Sequence, residues 1–235
     1  MDDLTVTRRE MVKTPFGAPS CPIVFGELEG QQVAFLPRHG SAERIPPHRV
    51  NYCANLWALH SVGITQIIAV GAVGSLNADC TVGSIVIPDQ IIDYTHGRES
   101  TYFEGKDQPV QHLDFSYPYN ESLRQLLLAG AHASSDINVI DSGTYGATNG
   151  PRLDTAAEVQ RMARDGCTIV GMTGMPEASL AAELGVAYAC LAVVVNMGAG
   201  IDGKAVDTQA IPASVTQGMS DARTVLHATL RSLKQ

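Results

Sequence analysis

Short runs rich in valine and isoleucine alternate along this chain with segments whose apolar residues recur at helical spacing. Several runs are apolar at consecutive positions, which is typical of strands covered on both faces. Strands that alternate with helices predict an α/β fold. We expect strands over seven segments: Pro22–Glu27, Gln32–Pro37, Gln66–Val73, Ser84–Asp89, Asn138–Tyr145, Thr168–Met172 and Ala187–Asn196.

Five helices are predicted between and after these strands. Apolar residues at positions 50, 53, 54, 57 and 58 predict an amphipathic helix over about residues 47–61. Of the other four, two are marked by a capping residue or a proline at their start, and the last by apolar residues that recur on one face. They are expected over Asn120–His132, over Asp154–Arg164 with Asp154 or Thr155 near the N-cap, after Pro176, and from about Pro212 to Leu233.

Length and composition exclude several classes of protein. The 235 residues fit one domain over 1–235, and 45% hydrophobic against 17% charged residues disfavours disorder. A net charge of −8 without a basic run disfavours nucleic acid as a partner. The most apolar stretch, Val186–Val195, is far shorter than the ~20 residues that span a bilayer.

Cysteine usage and the N-terminus indicate the compartment. Five cysteines without a CxxC pair argue against a disulfide framework or a zinc finger. The first residues, MDDLTVTRREM, lack the apolar core of a secretory signal. We therefore expect a soluble, cytoplasmic and reduced protein that does not associate with membranes.

Polar residues at predicted strand ends are the candidates for chemistry. Arg38 and His39 follow an apolar strand, and an anion site and a surface ion pair are equally good interpretations there. Thr173 precedes a helix, where amides bind anions. From its own window Asp154 is better interpreted as a helix cap, and Asn196 ends the most apolar strand. No metal-ligand spacing is present, so no metal is predicted, and without a Gly-x-Ser-x-Gly motif a serine hydrolase is unsupported.

Seven segments in order carry a resemblance to a known family. They are FLPRHG, PPHRVNYCANLWAL, AVGSL, DQIIDYT, NGPRLDTAAE, GMTGMPEASLA and the strand ending in Asn196. The chain resembles the trimeric purine nucleoside phosphorylases, in the methylthioadenosine and methylthioinosine phosphorylase branch. This resemblance implies a single three-layer α/β/α domain with a twisted mixed sheet. It also implies phosphate attack on the anomeric carbon of a purine nucleoside, in a homotrimer that needs phosphate as co-substrate and no cofactor.

The same resemblance implies roles for nine positions. Phosphate would be bound by Arg38, His39, Thr173 and the amide of Ala72. The nucleoside would contact five residues: Met172 at the ribose, Leu153 against the base, Asn196 at N7 and O6, Asp154 at N1, and His112 at the 5′ side of a neighbouring subunit's site.

Donors and acceptors then predict the base. Family members specific for adenine carry Asp at the Asn196 position and again where Gly198 stands here. A 6-oxopurine presents an acceptor at O6, which an amide can donate to and a carboxylate repels. The resemblance therefore implies S-methyl-5′-thioinosine as substrate, with hypoxanthine and 5-methylthioribose 1-phosphate as products.

Three departures from the family pattern fall on the phosphate site. The family's first strand and its glycine-rich phosphate loop have no counterpart, since MVKTPFGAPS matches the segment after them. Gly71 stands where Thr or Asn is frequent, and Glu43 where His is frequent. Three interpretations stay open: a shortened product of a working gene, a nucleosidase that uses water, or a nucleoside-binding homologue without turnover. Loss of the first strand is also expected to expose a sheet edge.

Overall fold

A computed structural model describes residues 3–41, 44–105, 109–134 and 136–233. Ten strands and five α-helices are assigned there. The strands are β1 (Thr5–Glu10), β2 (Ile23–Leu28), β3 (Gln31–Phe35), β4 (Gln66–Ser75), β5 (Ile85–Val86), β6 (Gln90–Asp93), β7 (Val139–Ile140), β8 (Thr144–Ala147), β9 (Cys167–Gly171) and β10 (Ala187–Met197). The helices are α1 (Tyr52–Ser61), α2 (Glu121–His132), α3 (Ala156–Arg164), α4 (Gly174–Glu183) and α5 (Ile211–Ser232).

Strand β10 organises the core because both of its faces are covered. All eight residues Tyr188–Val195 are buried. Side chains alternate across a strand, so its even-numbered residues 188–194 pack in one cluster with α1 and α4. Its odd-numbered residues 189–195 pack in a second cluster with α2 and α5. The result is the expected three-layer α/β/α arrangement.

The main sheet is mixed and has seven strands in the order β6-β8-β9-β4-β10-β5-β7. β4 runs parallel to β10 along its whole length, from the Gln66–Ala187 pair to the Ser75–Met197 pair. β1, β2 and β3 form a separate antiparallel sheet. The α/β class and the mixed sheet predicted from the sequence are confirmed.

One edge of β4 is largely open. On the side away from β10, β9 pairs with β4 only at Gly74 and Ser75. Within the described ranges no strand pairs with residues 66–73 on that side. Along this edge β4 presents backbone N–H and C=O groups to other ligands.

Several predicted strands differ from the observed ones. β1 was missed, because all six of its residues are exposed and lack an alternating pattern. β6 was also missed, and the strand expected over Ser84–Asp89 is reduced to β5. The strand expected over Asn138–Tyr145 is two strands that pair with different neighbours in the sheet, β7 with β5 and β8 with β6 and β9. Gly143, whose φ is +151°, lies between them.

The helices are closer to their predictions, with corrections at their starts. Residues 47–49 form a 3-10 turn, so α1 begins at Tyr52. α1 is not amphipathic over its first turns, because it is buried on nearly all sides between the sheet and α4. α3 is capped by the Thr155 side chain in a capping box with Glu158, so the preference for Asp154 as the cap was wrong. In the described part of the chain, no helix has the length and apolar character needed to cross a bilayer.

Candidate active site

Arg38 lies three residues after β3 and reaches across to β4 and α4. Its Nη1 donates to the Val70 carbonyl on the open edge of β4, over 2.7 Å. Its Nε and Nη2 donate to the two carboxylate oxygens of Glu177, over 2.6 and 2.9 Å. Burial disfavours the charged form, but the Glu177 carboxylate more than offsets this and raises the pKa of Arg38 above its ordinary value. The arginine is therefore a fixed cation at the sheet edge.

The amide of Ala72 points to the same edge as this arginine. Successive residues of a strand direct their backbone polar groups to alternate edges. Since the Val70 carbonyl faces the open edge toward Arg38, the Ala72 N–H two residues later faces that edge too. Ala72 is also exposed, so this donor is accessible to an anion.

Thr173 completes this side of the site. It is the residue before α4, and its side chain makes no capping hydrogen bond. Its Oγ1 lies 3.8 Å from the position that a Cβ atom would take at Gly71. Arg38, Gly71 and Thr173 line one small cavity of about 10 Å³, so the structure places Arg38 and Thr173 together beside β4.

His39 follows Arg38 but points to its own loop. Its Nδ1 lies 2.8 Å from the Ile45 carbonyl, and a carbonyl only accepts, so Nδ1 carries a proton. Burial lowers the pKa of His39. The neutral ring therefore offers Nε2 as an acceptor, which can bind an anion only through a proton on that anion.

Asn196 lies at the end of β10, where a bulge after Val194 shifts the pairing with β4. Its Nδ2 donates to the neighbouring Met197 carbonyl over 2.9 Å. The same Nδ2 lies 3.2 Å from the position of a Cβ at Gly74, so a side chain there would press on this rotamer. The amide is half-buried, and one N–H and its oxygen remain for a ligand.

Asp154 is held on the other side of this loop. Thr148 Oγ1 donates to its carboxylate over 3.2 Å, and burial raises the pKa of Asp154. The loop after β10 packs against the helix that follows Asp154, because the Cβ position at Gly200 lies 3.2 Å from Ala156 Cβ. Asn196 and Asp154 are thus carried by segments that touch.

Backbone contacts join these segments to the phosphate side. The Thr148 N–H donates to the Gly171 carbonyl over 2.8 Å, which brings the Asp154 loop beside the end of β9, directly before Met172. The Met172 thioether fills the space where a side chain at Gly150 would lie. Leu153 is 40% exposed, so it can contact a ligand but is not packed in the core.

Arg98 is a residue that sequence reasoning missed. Its Nη1 donates to the Met175 carbonyl over 2.5 Å, and its Nη2 to the Asn149 carbonyl over 3.0 Å. Its guanidinium also lies 5.1 Å from the centre of the Tyr52 ring. It therefore joins the loop that carries Asp154 to the first turn of α4, next to Thr173. Nothing in its local segment signals this, because all of these partners are distant in sequence.

Two residues named from the sequence have no described contact with this cluster. His112 is exposed in a segment without regular structure, and its role at a neighbouring subunit stays a prediction. Glu43 lies outside the described residues. Among the described side chains, no group of three or more His, Cys, Asp or Glu residues could hold a metal ion.

This fold and this cluster define a class of protein. The chain belongs to the phosphorylase superfamily, whose family model matches residues 2–231.

Individual relatives narrow the class. The chain is 45% identical to a probable S-methyl-5′-thioinosine phosphorylase of Pseudomonas syringae pv. tomato, over 98% of this chain and 93% of that protein. It is 51% identical to a protein of the same description from Xanthomonas campestris pv. campestris, over 80% of this chain and 75% of that one. It also resembles the solved methylthioadenosine phosphorylase of Schistosoma mansoni in complex with adenine. The TM-score is 0.94 at 32% identity, over 99% of this chain and 88% of that one.

Proposed function

We propose that this protein catalyses the phosphorolysis of a 5′-modified 6-oxopurine nucleoside, with S-methyl-5′-thioinosine as its substrate. A phosphate oxygen bonds to the anomeric carbon, and the bond from that carbon to the purine nitrogen breaks. The products are hypoxanthine and 5-methylthioribose 1-phosphate, and no cofactor takes part. The observation that carries the proposal is the convergence of Arg38, Thr173 and the Ala72 edge beside the segments that carry Asn196 and Asp154.

The β4 edge supports the phosphate half of the proposal. The Arg38 cation, the outward Ala72 amide and the Thr173 hydroxyl are three donors suited to phosphate oxygens. These donors lie beside the part of β4 that β9 does not pair with. Phosphate bound there would lie next to Met172 and the ribose. Holding the nucleophile below the anomeric carbon makes an otherwise bimolecular attack effectively unimolecular.

The Asn196 and Asp154 pair supports the base half. As the glycosidic bond breaks, negative charge develops on the purine, and an amide N–H of Asn196 directed at N7 and O6 stabilises that charge. The Asp154 carboxylate accepts the N1 proton of a 6-oxopurine. The relatives described as thioinosine phosphorylases support the same base, since inosine carries a 6-oxopurine.

A homotrimer is part of the proposal. In it, His112 of one subunit would contact the 5′ side of the next subunit's nucleoside. The exposure of His112, together with Leu113 at 42% and Tyr117 at 86% exposed, supports a contact between copies along this segment.

The test is release of hypoxanthine from S-methyl-5′-thioinosine, measured with and without phosphate. We expect release that requires phosphate and yields 5-methylthioribose 1-phosphate. Arg38→Gln is expected to raise the KM for phosphate, while the exposed Arg161→Gln serves as the matched control. Release that continues in phosphate-free buffer would show water as the nucleophile, and no release in either buffer would rule out turnover of this nucleoside.

A further inference from the structure

Arg38 is held in place by a buried network. The other members of this network were not among the site residues expected from the sequence. Glu177, on α4, is only 4% exposed and binds Arg38 through both carboxylate oxygens. The Tyr188 hydroxyl donates to the same carboxylate over 2.8 Å, and Tyr188 is itself 3% exposed on β10. The Tyr188 ring stacks on Tyr119 with ring centres 6.1 Å apart. The network thus anchors the arginine to the centre of the sheet.

The hydrogen bonds of Arg38 determine which of its N–H groups remain. A guanidinium has five N–H donors. Glu177 takes the one on Nε and one on Nη2, and the Val70 carbonyl takes one on Nη1. One N–H on each terminal nitrogen has no acceptor among the described residues, so an anion must bind through those two.

We propose that Glu177, supported by Tyr188, is a positioning residue for phosphate: it fixes the Arg38 guanidinium so that its two remaining N–H groups face the anion beside the β4 edge. This inference rests on the proposed function, since it assumes that phosphate binds at Arg38. Glu177 does not touch phosphate and acts through Arg38 alone. Because the carboxylate is buried and bidentate, its geometry is rigid.

Charge and position predict opposite effects when Glu177 is neutralised. Glu177→Gln removes a negative charge close to the anion site, which by electrostatics alone would tighten phosphate binding. It also replaces an acceptor oxygen by an amide NH₂ that cannot accept from Arg38. If positioning dominates, the KM for phosphate rises, by about tenfold for a residue that orients a ligand-binding side chain.

The experiment measures both Michaelis constants for the wild type, Glu177→Gln, Glu177→Asp and Glu183→Gln. Glu183 is the matched control, because it lies on the same helix and its carboxylate binds Thr101 and Tyr102, not Arg38. We expect the phosphate KM to rise in Glu177→Gln and to recover in part in Glu177→Asp. The nucleoside KM should stay within about twofold in both, and both constants should be unchanged in Glu183→Gln. A phosphate KM that stays level or falls, or two constants that rise together, would overturn the inference.

A second variant and a binding readout keep the test decisive. If Glu177→Gln does not fold, Tyr188→Phe removes only the 2.8 Å hydrogen bond to Glu177 and should raise the phosphate KM about threefold. The rise in melting temperature caused by inorganic phosphate measures binding without turnover. If phosphate stabilises the wild type but no base is released, the proposed function is refuted. The phosphate-induced rise in melting temperature of Glu177→Gln still tests the role of Glu177. A wild type that turns over, with Glu177→Gln unchanged in both readouts, refutes the Glu177 inference alone.

Discussion

At the scale of single residues, the sequence singled out polar groups at predicted strand ends, and it did not reveal the buried partners that hold them. Arg38 lies two residues before Gly40, just after an apolar strand, and this local pattern marks it. Glu177 is 139 residues away, and only the fold brings the two together. Asp154 shows the reverse case: its window favoured a helix cap, yet Thr155 caps the helix and leaves the Asp154 carboxylate for Thr148.

Asn196→Asp should shift base preference from 6-oxopurines toward 6-aminopurines. The carboxylate repels O6 and accepts from a 6-amino group, and a mismatched buried polar group costs about 1–3 kcal/mol. We expect the ratio of kcat/KM for methylthioinosine over methylthioadenosine to fall by about tenfold or more. Asn138→Asp is the control, because Asn138 donates to Ser84 and should leave the ratio unchanged. An unchanged ratio in Asn196→Asp would remove the base assignment.

The raised pKa of Asp154 predicts the acid limb of the activity. In the proposed site the carboxylate accepts a hydrogen bond from N1 only when it is ionised, and burial makes it take up a proton at a higher pH than an ordinary aspartate. We expect kcat/KM for the nucleoside to fall as the pH falls through this raised pKa. In Asp154→Asn, kcat/KM should be low and should not change with pH over that range.

The raised pKa of Asp154 also determines how the free energy of unfolding changes with pH. Because the folded-state pKa lies above the unfolded one, protonated Asp154 stabilises the fold at pH below the unfolded value, and this stabilisation is lost as the pH rises through the folded value. Urea unfolding of the wild type and Asp154→Asn over that window measures it. A wild type that gains stability relative to Asp154→Asn with rising pH would contradict the raised pKa.

At the scale of elements, burial decided what could be predicted from the sequence. β10 and α5 have strong apolar patterns, and both lie close to their predicted bounds. β1 is exposed at every residue, and the two residues of β5 are too few to show a period. The apolar residues of α1 recur at helical spacing, so the helix was predicted. Neighbouring layers cover nearly all of its sides, so it lacks the polar face of an amphipathic helix.

Gly130→Ala should weaken the packing of α2 on α5. A Cβ atom at Gly130 would lie 2.8 Å from the backbone nitrogen and 3.0 Å from the Cα of Thr229. Backbone atoms cannot rotate away, so the helices must separate, and we expect a loss of about 1–3 kcal/mol in the free energy of unfolding. Ala129→Ser, exposed on the same helix, should change it by less than about 0.5 kcal/mol. Urea denaturation measures both, and equal stabilities would show that the helices tolerate the added carbon.

At the scale of the whole molecule, the sequence predicts an assembly whose sites are shared between copies. We expect sedimentation equilibrium to give three times the chain mass of 24.9 kDa. His112→Ala and Asp154→Asn should each be impaired, because each removes a different part of a shared site. Trimers mixed from the two variants should regain activity, since some sites then combine an intact Asp154 with a neighbour's His112. Recovery no greater than the sum of the separate variants would show that each chain holds a complete site.

The burial of β10 has a consequence for how fast different parts of the site exchange with solvent. Backbone amides exchange with deuterium only when they open, and opening is rarest in a central strand between two covered faces. Amides of Tyr188–Val195, buried at every residue, should therefore be among the last to take up deuterium, and Asn196 directly follows this slow segment. Leu153 lies in an exposed loop that should exchange early. The end of the site that we propose to bind the purine is thus attached to a slowly exchanging strand, whereas the loop beside it can adjust.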